Sequence, residues 1–149
     1  MTRPMTKVRA KAPLRLGLAG GGTDVAPYSD EFGGMVLNAT ISLYAYCTVE
    51  ERRDGRVRFQ ALDIDATFEH TAAPVLPVDH DLSLVAQCYN RIVADCCGNK
   101  PFAASILTHA DVPPGSGLGS SSTMVVAIIT ALAEYLRLPL GEYEIAHLA

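Results

Sequence analysis

The chain has 149 residues, which is enough for one domain with a substantial core. Of these residues 49% are hydrophobic and 19% are charged, a balance typical of folded globular chains and not of disordered ones. The net charge of −4 leaves no basic footprint for nucleic acid or an anionic membrane, and no apolar run of about 18 residues free of charge predicts a membrane span. Nothing in the first residues suggests export. We therefore expect a cytoplasmic protein that binds neither nucleic acid nor a membrane.

The first predicted elements are two strands and a glycine cluster. Residues 7–11 alternate apolar and charged side chains, as a half-exposed strand does, and residues 14–19 form a second strand after an interruption at Ala12-Pro13. Residues 20–24, Gly-Gly-Gly-Thr-Asp, follow as a loop. A short helix is predicted over residues 26–32, with Gly33-Gly34 ending it.

The middle of the chain reads as strands. Residues 35–51 are rich in β-branched and aromatic residues and predict one long strand, or two joined by a bulge. Asp54-Gly55 is a strong hairpin signal, so residues 57–61 are expected to return alongside that strand. Residues 66–70 predict a further short strand.

Helices dominate the second half. Residues 81–97 carry apolar side chains at helical spacing, and residues 102–112 predict a strand. Residues 124–136 predict a buried helix, and another helix begins after residue 138 and stops in mid-pattern. We expect an α+β domain, a two-layer mixed sheet with helices on one face, and we expect residues 1–149 to be the N-terminal part of a longer protein.

The four cysteines show no zinc-type spacing and no disulfide framework. The expectation is that they are reduced thiols. They are Cys47, Cys88, Cys96 and Cys97.

The most informative stretch is the glycine-rich loop at residues 113–123, between a predicted strand and a predicted helix. The first amides of a helix lack intrahelical partners, and its dipole adds partial positive charge there. Glycines allow close approach of an anion, while the hydroxyls of Ser120, Ser121 and Ser122 can cap the helix or reach a metal. No Gly-Lys-Ser/Thr follows and Gly-x-Gly-x-x-Gly is absent, which excludes a Walker A loop and a Rossmann fingerprint. A plain glycine turn with a serine cap is the alternative.

The sequence of this loop, Pro-Pro-Gly-Ser-Gly-Leu-Gly-Ser-Ser-Ser, resembles the nucleotide loop of the GHMP kinases, Pro-x-x-x-Gly-Leu-Gly-Ser-Ser-Ala/Ser. The resemblance covers nearly the whole chain and implies the N-terminal, ATP-binding domain of that family over residues 1–149. It also implies Mg²⁺ held by Ser121. The implied ATP contacts are Pro114, Gly115, Ser116, Gly117, Leu118, Gly119, Ser120, Ser121 and Ser122.

The earlier cluster, residues 12–24, is weighed in the same way. Taken alone, the cluster is better explained as a glycine loop in which Asp24 caps the following helix. Arg15 lies on an otherwise apolar strand, where a buried arginine needs an anionic partner, so it could contact transferring phosphoryl charge or a phosphorylated substrate.

These residues also resemble the family's first motif, which in galactokinase-like members reads Pro-Gly-Arg-x-Asn-Leu-x-Gly-Glu-His-Thr-Asp. The positions that match in register are Pro13, Arg15, Leu18, Gly20, Thr23 and Asp24. Gly21 and Gly22 replace the Glu-His that contacts galactose, so the cluster is similar instead to the heptose kinase and fucokinase subgroup. By that resemblance Asp24 binds sugar hydroxyls, aided by Gly21, Gly22 and Thr23, and Arg15 has a catalytic or substrate-binding role.

The implied activity is an ATP-dependent sugar kinase that phosphorylates D-glycero-D-manno-heptose 7-phosphate at C1, for activated-heptose synthesis. The alternatives are an L-fucose-type sugar kinase and a non-catalytic nucleotide- or sugar-binding domain. The acidic metal ligand and catalytic base of the family lie further along its chains, so residues 1–149 alone are expected to be inactive. The group that binds the sugar phosphate stays open among Arg15, Lys11, Arg91 and residues beyond this sequence.

Overall fold

The computed structural model describes residues 6–149. Five strands and four helices follow one another along this part of the chain. In chain order they are β1 (Lys7–Ala19), α1 (Tyr28–Phe32), β2 (Leu37–Glu51), β3 (Arg56–Ala61), β4 (Ala66–Thr71), α2 (Ser83–Cys96), β5 (Ala104–Ala110), α3 (Ser120–Leu136) and α4 (Glu142–Leu148). Over these residues, none of the helices is both long and apolar enough to span a bilayer.

The strands form one mixed sheet in the order β1-β2-β5-β3-β4. β5 is the central strand; it pairs antiparallel with β2 and parallel with β3. Alternate residues of β5 are buried, and they share the core with α2 and α3. The buried side chains of α3 include Ile128 and Leu132, and this helix packs against β1 and β2. The predicted α+β fold with a mixed sheet is confirmed.

The first two predicted strands are one strand in the structure. β1 runs through Pro13, with a shift of register against β2 between Pro13 and Arg15. A proline is tolerated there because β1 is an edge strand, where an N–H pointing away from the sheet has no strand partner to lose. The predicted interruption is therefore an irregularity within the strand and does not end it.

The predicted hairpin between residues 35–51 and 57–61 is wrong. The turn itself exists: Gly55 has a φ of 71°, and the Asp54 carboxylate accepts the backbone N–H of Arg56 at 3.1 Å. The two flanking strands do not pair, however, because β5 lies between them. β3 forms its hairpin with β4 instead.

The cysteines are free thiols, as predicted. Cys47 and Cys88 are buried, and burial raises the pKa of Cys88 to about 11 and that of Cys47 further. Neither thiol therefore ionises at neutral pH, which keeps both chemically inert.

Candidate functional site

The two glycine clusters lie side by side. The backbone N–H of Arg15 donates to the carbonyl of Leu118 at 3.2 Å, which ties the edge strand β1 to the loop that precedes α3. The approach is close: a Cβ placed on Gly119 would lie 3.1 Å from Nε of Arg15. The two sequence motifs, about 100 residues apart in the chain, thus lie together in the fold.

The loop itself has the geometry of an anion cradle. Gly115, Gly117 and Gly119 all have positive φ, at 80°, 75° and 70°, so alternate residues take a conformation that side chains disfavour. α3 begins at Ser120, four residues before the predicted start, and Gly119 provides no side-chain cap. The first three amides of the helix lack intrahelical acceptors and lie at the positive end of the helix dipole.

A first cavity of about 240 Å³, which we call the helix-side cleft, opens beside the start of α3. Its polar lining comes from Asp63, Ser120 and Ser121. The rest is mostly apolar, with Leu84 from α2 and Val112 from the segment after β5. The complete lining is Asp63, Leu84, Ala110, Val112, Pro114, Gly115, Ser120, Ser121 and Met124.

Sequence reasoning missed Asp63 and Leu84 in this cleft. Asp63 is exposed in the turn between β3 and β4, and the parallel pairing of β3 with β5 brings that turn next to the residues that follow β5. Because the sequence predicted β3 beside β2, it gave no reason to place Asp63 near the loop. The acidic turn residue was the only signal available.

A second cavity of about 180 Å³, the strand-side cleft, lies on the other side of the loop. Its charged members are Arg15 and Asp24, and Asn38 of β2 adds a carboxamide that sequence reasoning also missed. The complete lining is Arg15, Gly17, Gly21, Gly22, Asp24, Val36, Asn38, Gly117 and Gly119. The first motif and the loop glycines therefore share one cavity.

The polar groups of the strand-side cleft have no protein partners. In the described part of the chain, the side chains of Arg15, Asp24 and Asn38 make neither an ion pair nor a hydrogen bond. All three residues are exposed, so the premise that Arg15 is buried was wrong. Asp24 does not cap α1 either, since that helix has Pro27 at its N-cap. The cleft collects one cation, one anion and one amide that are available to a ligand.

The structure explains glycine differently at each of the three positions 20, 21 and 22. A Cβ on Gly20 would lie 1.9 Å from the carbonyl oxygen of Met35, and Gly22 has a φ of 86°. Gly21 has neither constraint, because its φ is not in the positive region and a Cβ there would meet nothing within 4 Å. Since Gly21 lines the cleft, the space that its missing side chain leaves is cavity space.

Thr23 stabilises the glycine loop at residues 20–24 through its hydroxyl. Its hydroxyl lies 2.7 Å from the carbonyl of Gly20, to which it donates, and it accepts the backbone N–H of Met35 at 3.1 Å. Thr23 lies outside both cleft linings, and its role toward a substrate stays a prediction.

The remaining predicted residues divide between the clefts and the surface. Pro114, Gly115, Ser120 and Ser121 line the helix-side cleft, whereas Ser116, Leu118 and Ser122 line neither. Of the open candidates for binding a sugar phosphate, the Lys11 ammonium sits 4.4 Å from the ring centre of Tyr44, and Arg91 pairs with Asp95 on α2. Only Arg15 lies in the strand-side cleft.

The donor set suits magnesium only when a ligand brings further oxygens. Between residues 6 and 149 no group of three or more His, Cys, Asp or Glu side chains could hold a metal. The helix-side cleft nevertheless combines the Ser120 and Ser121 hydroxyls with the Asp63 carboxylate. Mg²⁺ prefers oxygen ligands, keeps several waters, and is commonly held by one or two carboxylates together with phosphates.

Comparison with known proteins agrees with this geometry. The family model described as the GHMP kinases N terminal domain matches residues 83–149, which include α2, β5, the loop and α3. Across 145 residues the chain is 52% identical to a D-glycero-alpha-D-manno-heptose 7-phosphate kinase of Campylobacter jejuni, covering 97% of this chain and 42% of that protein.

Solved structures give the same result. A D-glycero-D-manno-heptose 1-phosphate kinase of Bacteroides thetaiotaomicron superposes with a TM-score of 0.88 at 53% identity, over 95% of this chain and 46% of that one. The galactokinase of Lactococcus lactis complexed with galactose gives a TM-score of 0.77 over 95% of this chain and 36% of that one, and at 20% identity it supports the fold alone. The chain therefore spans less than half the length of these relatives, and the predicted resemblance to the N-terminal part of GHMP kinases is confirmed.

Proposed function

We propose that this chain is the N-terminal part of an ATP-dependent sugar kinase of the GHMP type, with nucleotide in the helix-side cleft and a sugar phosphate in the strand-side cleft. The observation that carries the proposal is the loop between the two clefts. Residues 113–119 contribute lining to both cavities, so a phosphoryl group held over the loop would be in reach of ligands on either side.

On the nucleotide side, the free amides of Ser120, Ser121 and Ser122 would bind phosphate oxygens at the start of α3. Leu84, Val112 and Met124 offer an apolar surface for the base. Ser121 would supply a hydroxyl ligand to Mg²⁺, and Asp63, the one carboxylate that the described residues contribute to the lining of that cleft, could join it. When bound, the metal would neutralise the charge on the phosphates.

On the sugar side, Asp24 would accept hydrogen bonds from sugar hydroxyls, because a carboxylate accepts two at once. Arg15 would hold its guanidinium against the phosphoryl group or against the phosphate of the substrate. Its position beside Gly119 supports the first of these roles, since Gly119 immediately precedes the helix amides.

The substrate we propose is D-glycero-D-manno-heptose 7-phosphate, phosphorylated at C1 to the 1,7-bisphosphate. The support is the similarity to a C. jejuni protein named as a heptose 7-phosphate kinase. The B. thetaiotaomicron relative is named as a heptose 1-phosphate kinase, so the position of the substrate's phosphate is part of the test. A carboxylate that takes the proton of the acceptor hydroxyl would come from the rest of the longer protein, and the chain of 149 residues alone is expected to be inactive.

Calorimetric titration would test the nucleotide site, with Mg·AMP-PNP added to this chain and to the full-length protein that contains it. ADP release by the full-length protein would then be followed with heptose 7-phosphate, heptose 1-phosphate and L-fucose. Turnover of a heptose phosphate supports the proposal, and turnover of L-fucose alone would replace the substrate. If the full-length protein does not bind nucleotide, the kinase proposal fails and a non-catalytic binding domain takes its place.

A further inference from the structure

We propose that Asn38 is a specificity-determining residue of the strand-side cleft. Its carboxamide would form hydrogen bonds with sugar hydroxyls in a way that neither the Asp24 carboxylate nor the Arg15 guanidinium can. The inference rests on the proposed function of that cleft. It adds a residue that lies outside both glycine motifs, on the second strand of the sheet.

The position of Asn38 follows from strand pairing. Asn38 of β2 lies opposite Gly17 of β1, and a Cβ on Gly17 would lie 3.6 Å from Oδ1 of Asn38. The carboxamide oxygen therefore lies over Gly17 of the edge strand, at an ordinary contact distance from where a side chain would begin. Arg15 reaches the same cleft from two residues earlier on β1.

The fold does not account for the residue type. Asparagine is depleted in strands, where β-branched and aromatic side chains are favoured. A hydrogen bond to a neighbour would account for an asparagine in a strand, but within residues 6–149 nothing bonds to the Asn38 carboxamide. The side chain is exposed and lines a cavity with two other unpaired polar groups.

The three groups differ in what they can recognise. A guanidinium only donates hydrogen bonds and a carboxylate only accepts them, whereas a carboxamide does both through separate atoms. Arg15 and Asp24 alone would bind any polyol phosphate with an anionic end and a free hydroxyl. Asn38 adds a neutral carboxamide that can accept a hydrogen bond from one hydroxyl and donate one to the neighbouring hydroxyl. Both bonds form only when the two hydroxyls have the matching configuration.

Selectivity arises because a polar group left without a partner is costly. A sugar that lacks the matching hydroxyl, or presents it on the other face of the ring, leaves the carboxamide unpaired after water has been displaced. The cleft would then prefer one configuration even though Asp24 still binds.

The test uses the full-length protein and the substitutions Asn38→Ala and Asn38→Asp. Kinetics are measured with heptose 7-phosphate and with analogues that each lack one ring hydroxyl. Thr40→Ala is the matched control, because Thr40 lies two residues further along β2, is exposed, and lines neither cleft. Thermal unfolding of each variant reports separately on folding.

We expect Asn38→Ala to lower kcat/KM for the complete sugar about tenfold, the equivalent of one hydrogen bond, with KM for Mg·ATP unchanged. The analogue that lacks the hydroxyl bound by Asn38 should be a poor substrate of the parent protein. Its kcat/KM should not fall further in Asn38→Ala. Asn38→Asp should keep the shape of the side chain but remove its donor, and so change the ranking of the analogues. Thr40→Ala should behave as the parent.

Three results would overturn the inference. Asn38→Ala could match the parent on every sugar, it could lose activity equally on all analogues, or it could lose thermal stability in step with activity. Each of these would leave the kinase proposal in place if the parent still phosphorylates the complete sugar. If the parent binds nucleotide and phosphorylates no sugar, the proposed function and this inference fail together.

Discussion

The backbone N–H of Arg15 donates to the carbonyl of Leu118, so the arginine is positioned through its main chain and its guanidinium stays unpaired. A carboxylate that held the guanidinium in place would also weaken its attraction for a substrate anion. Here the edge strand supplies the position, and the full positive charge is left for a ligand. Arg15 can therefore be replaced without creating an unpaired carboxylate.

Arg15→Met in the full-length protein should lower kcat by about 10²–10³-fold, because a preorganised charged donor on a developing phosphoryl charge is worth about 3–4 kcal/mol. The melting temperature should not change, since the side chain has no protein partner to lose. Steady-state kinetics and calorimetric unfolding measure the two effects. Arg9→Met is the control: Arg9 lies on the same strand, 4.8 Å from the ring centre of Tyr46 and outside both clefts.

Gly20→Ala and Gly21→Ala should separate folding from binding. The first would place a methyl group 1.9 Å from the Met35 carbonyl oxygen at a positive φ, and should cost roughly 1–3 kcal/mol or more of unfolding free energy. The second meets no protein atom, so it should fold normally and raise KM for the sugar by filling the cleft. Denaturant unfolding and sugar kinetics test the pair, and equal stability of the two variants would contradict the assignment.

Ser121→Ala should raise KM for Mg·ATP and increase the magnesium concentration that full activity requires. The reason is that this hydroxyl lines the helix-side cleft at the first turn of α3, where it would bind the metal. A magnesium titration at fixed ATP measures the effect. Ser105→Ala on β5 removes a hydroxyl away from the site and should leave the titration curve unchanged. An unaltered curve for the Ser121 variant would remove the metal role.

Asp54 should contribute to the acid stability of the fold. Its hydrogen bond from Arg52, aided by the backbone N–H of Arg56, lowers the pKa of the carboxyl from 3.8 to about 2. A carboxyl whose pKa is lower in the folded state stabilises it above the unfolded pKa, and this contribution is lost as pH falls from about 4 to about 2. In Asp54→Asn the melting temperature should therefore fall less steeply over that range. Because Asp54 is exposed, the difference should shrink at about 1 M salt. Parallel melting curves for parent and variant would contradict this account.

Tyr89→Phe should destabilise the protein by about 1–3 kcal/mol, because the lost hydroxyl leaves two backbone groups without their partner. The hydroxyl donates to the carbonyl of Phe102 at 2.9 Å and accepts the Phe102 N–H at 3.1 Å, which ties α2 to the approach to β5. Denaturant unfolding measures the change. Tyr143→Phe, on the exposed surface of α4, should have no effect.

Local sequence patterns predicted most helices and strands of the fold but not which strands pair with one another. The strand predicted over residues 66–70 and the helix predicted over residues 81–97 correspond to β4 and α2, with ends that differ by at most two residues. The position of β5 between β2 and β3 could not be predicted, because the residues that pair with β2 lie more than 50 positions further along the chain. Asp54-Gly55 indicates a turn, and a turn does not specify which strands pair.

The site was predictable where a motif is contiguous. The loop was singled out by its glycine spacing and the first cluster by its resemblance to a family motif, and the hydrogen bond from Arg15 to Leu118 brings the two together. Asp63 and Asn38 were missed because each is a single polar residue in an ordinary turn or strand. Only the pairing of β3 with β5 and of β1 with β2 brings them into the clefts.

The loop at residues 113–119 lies between the helix-side cleft and the strand-side cleft, and this has a consequence for how the sequence can diverge. Within the loop, Pro114 and Gly115 line the helix-side cleft, whereas Gly117 and Gly119 line the strand-side cleft. The outer linings are independent of each other: Asp63 and Leu84 belong to one cavity, and Asp24 and Asn38 to the other. Substitutions at the edge of the sheet near β1 and β2 can therefore reshape the strand-side cleft while the lining of the helix-side cleft stays as it is.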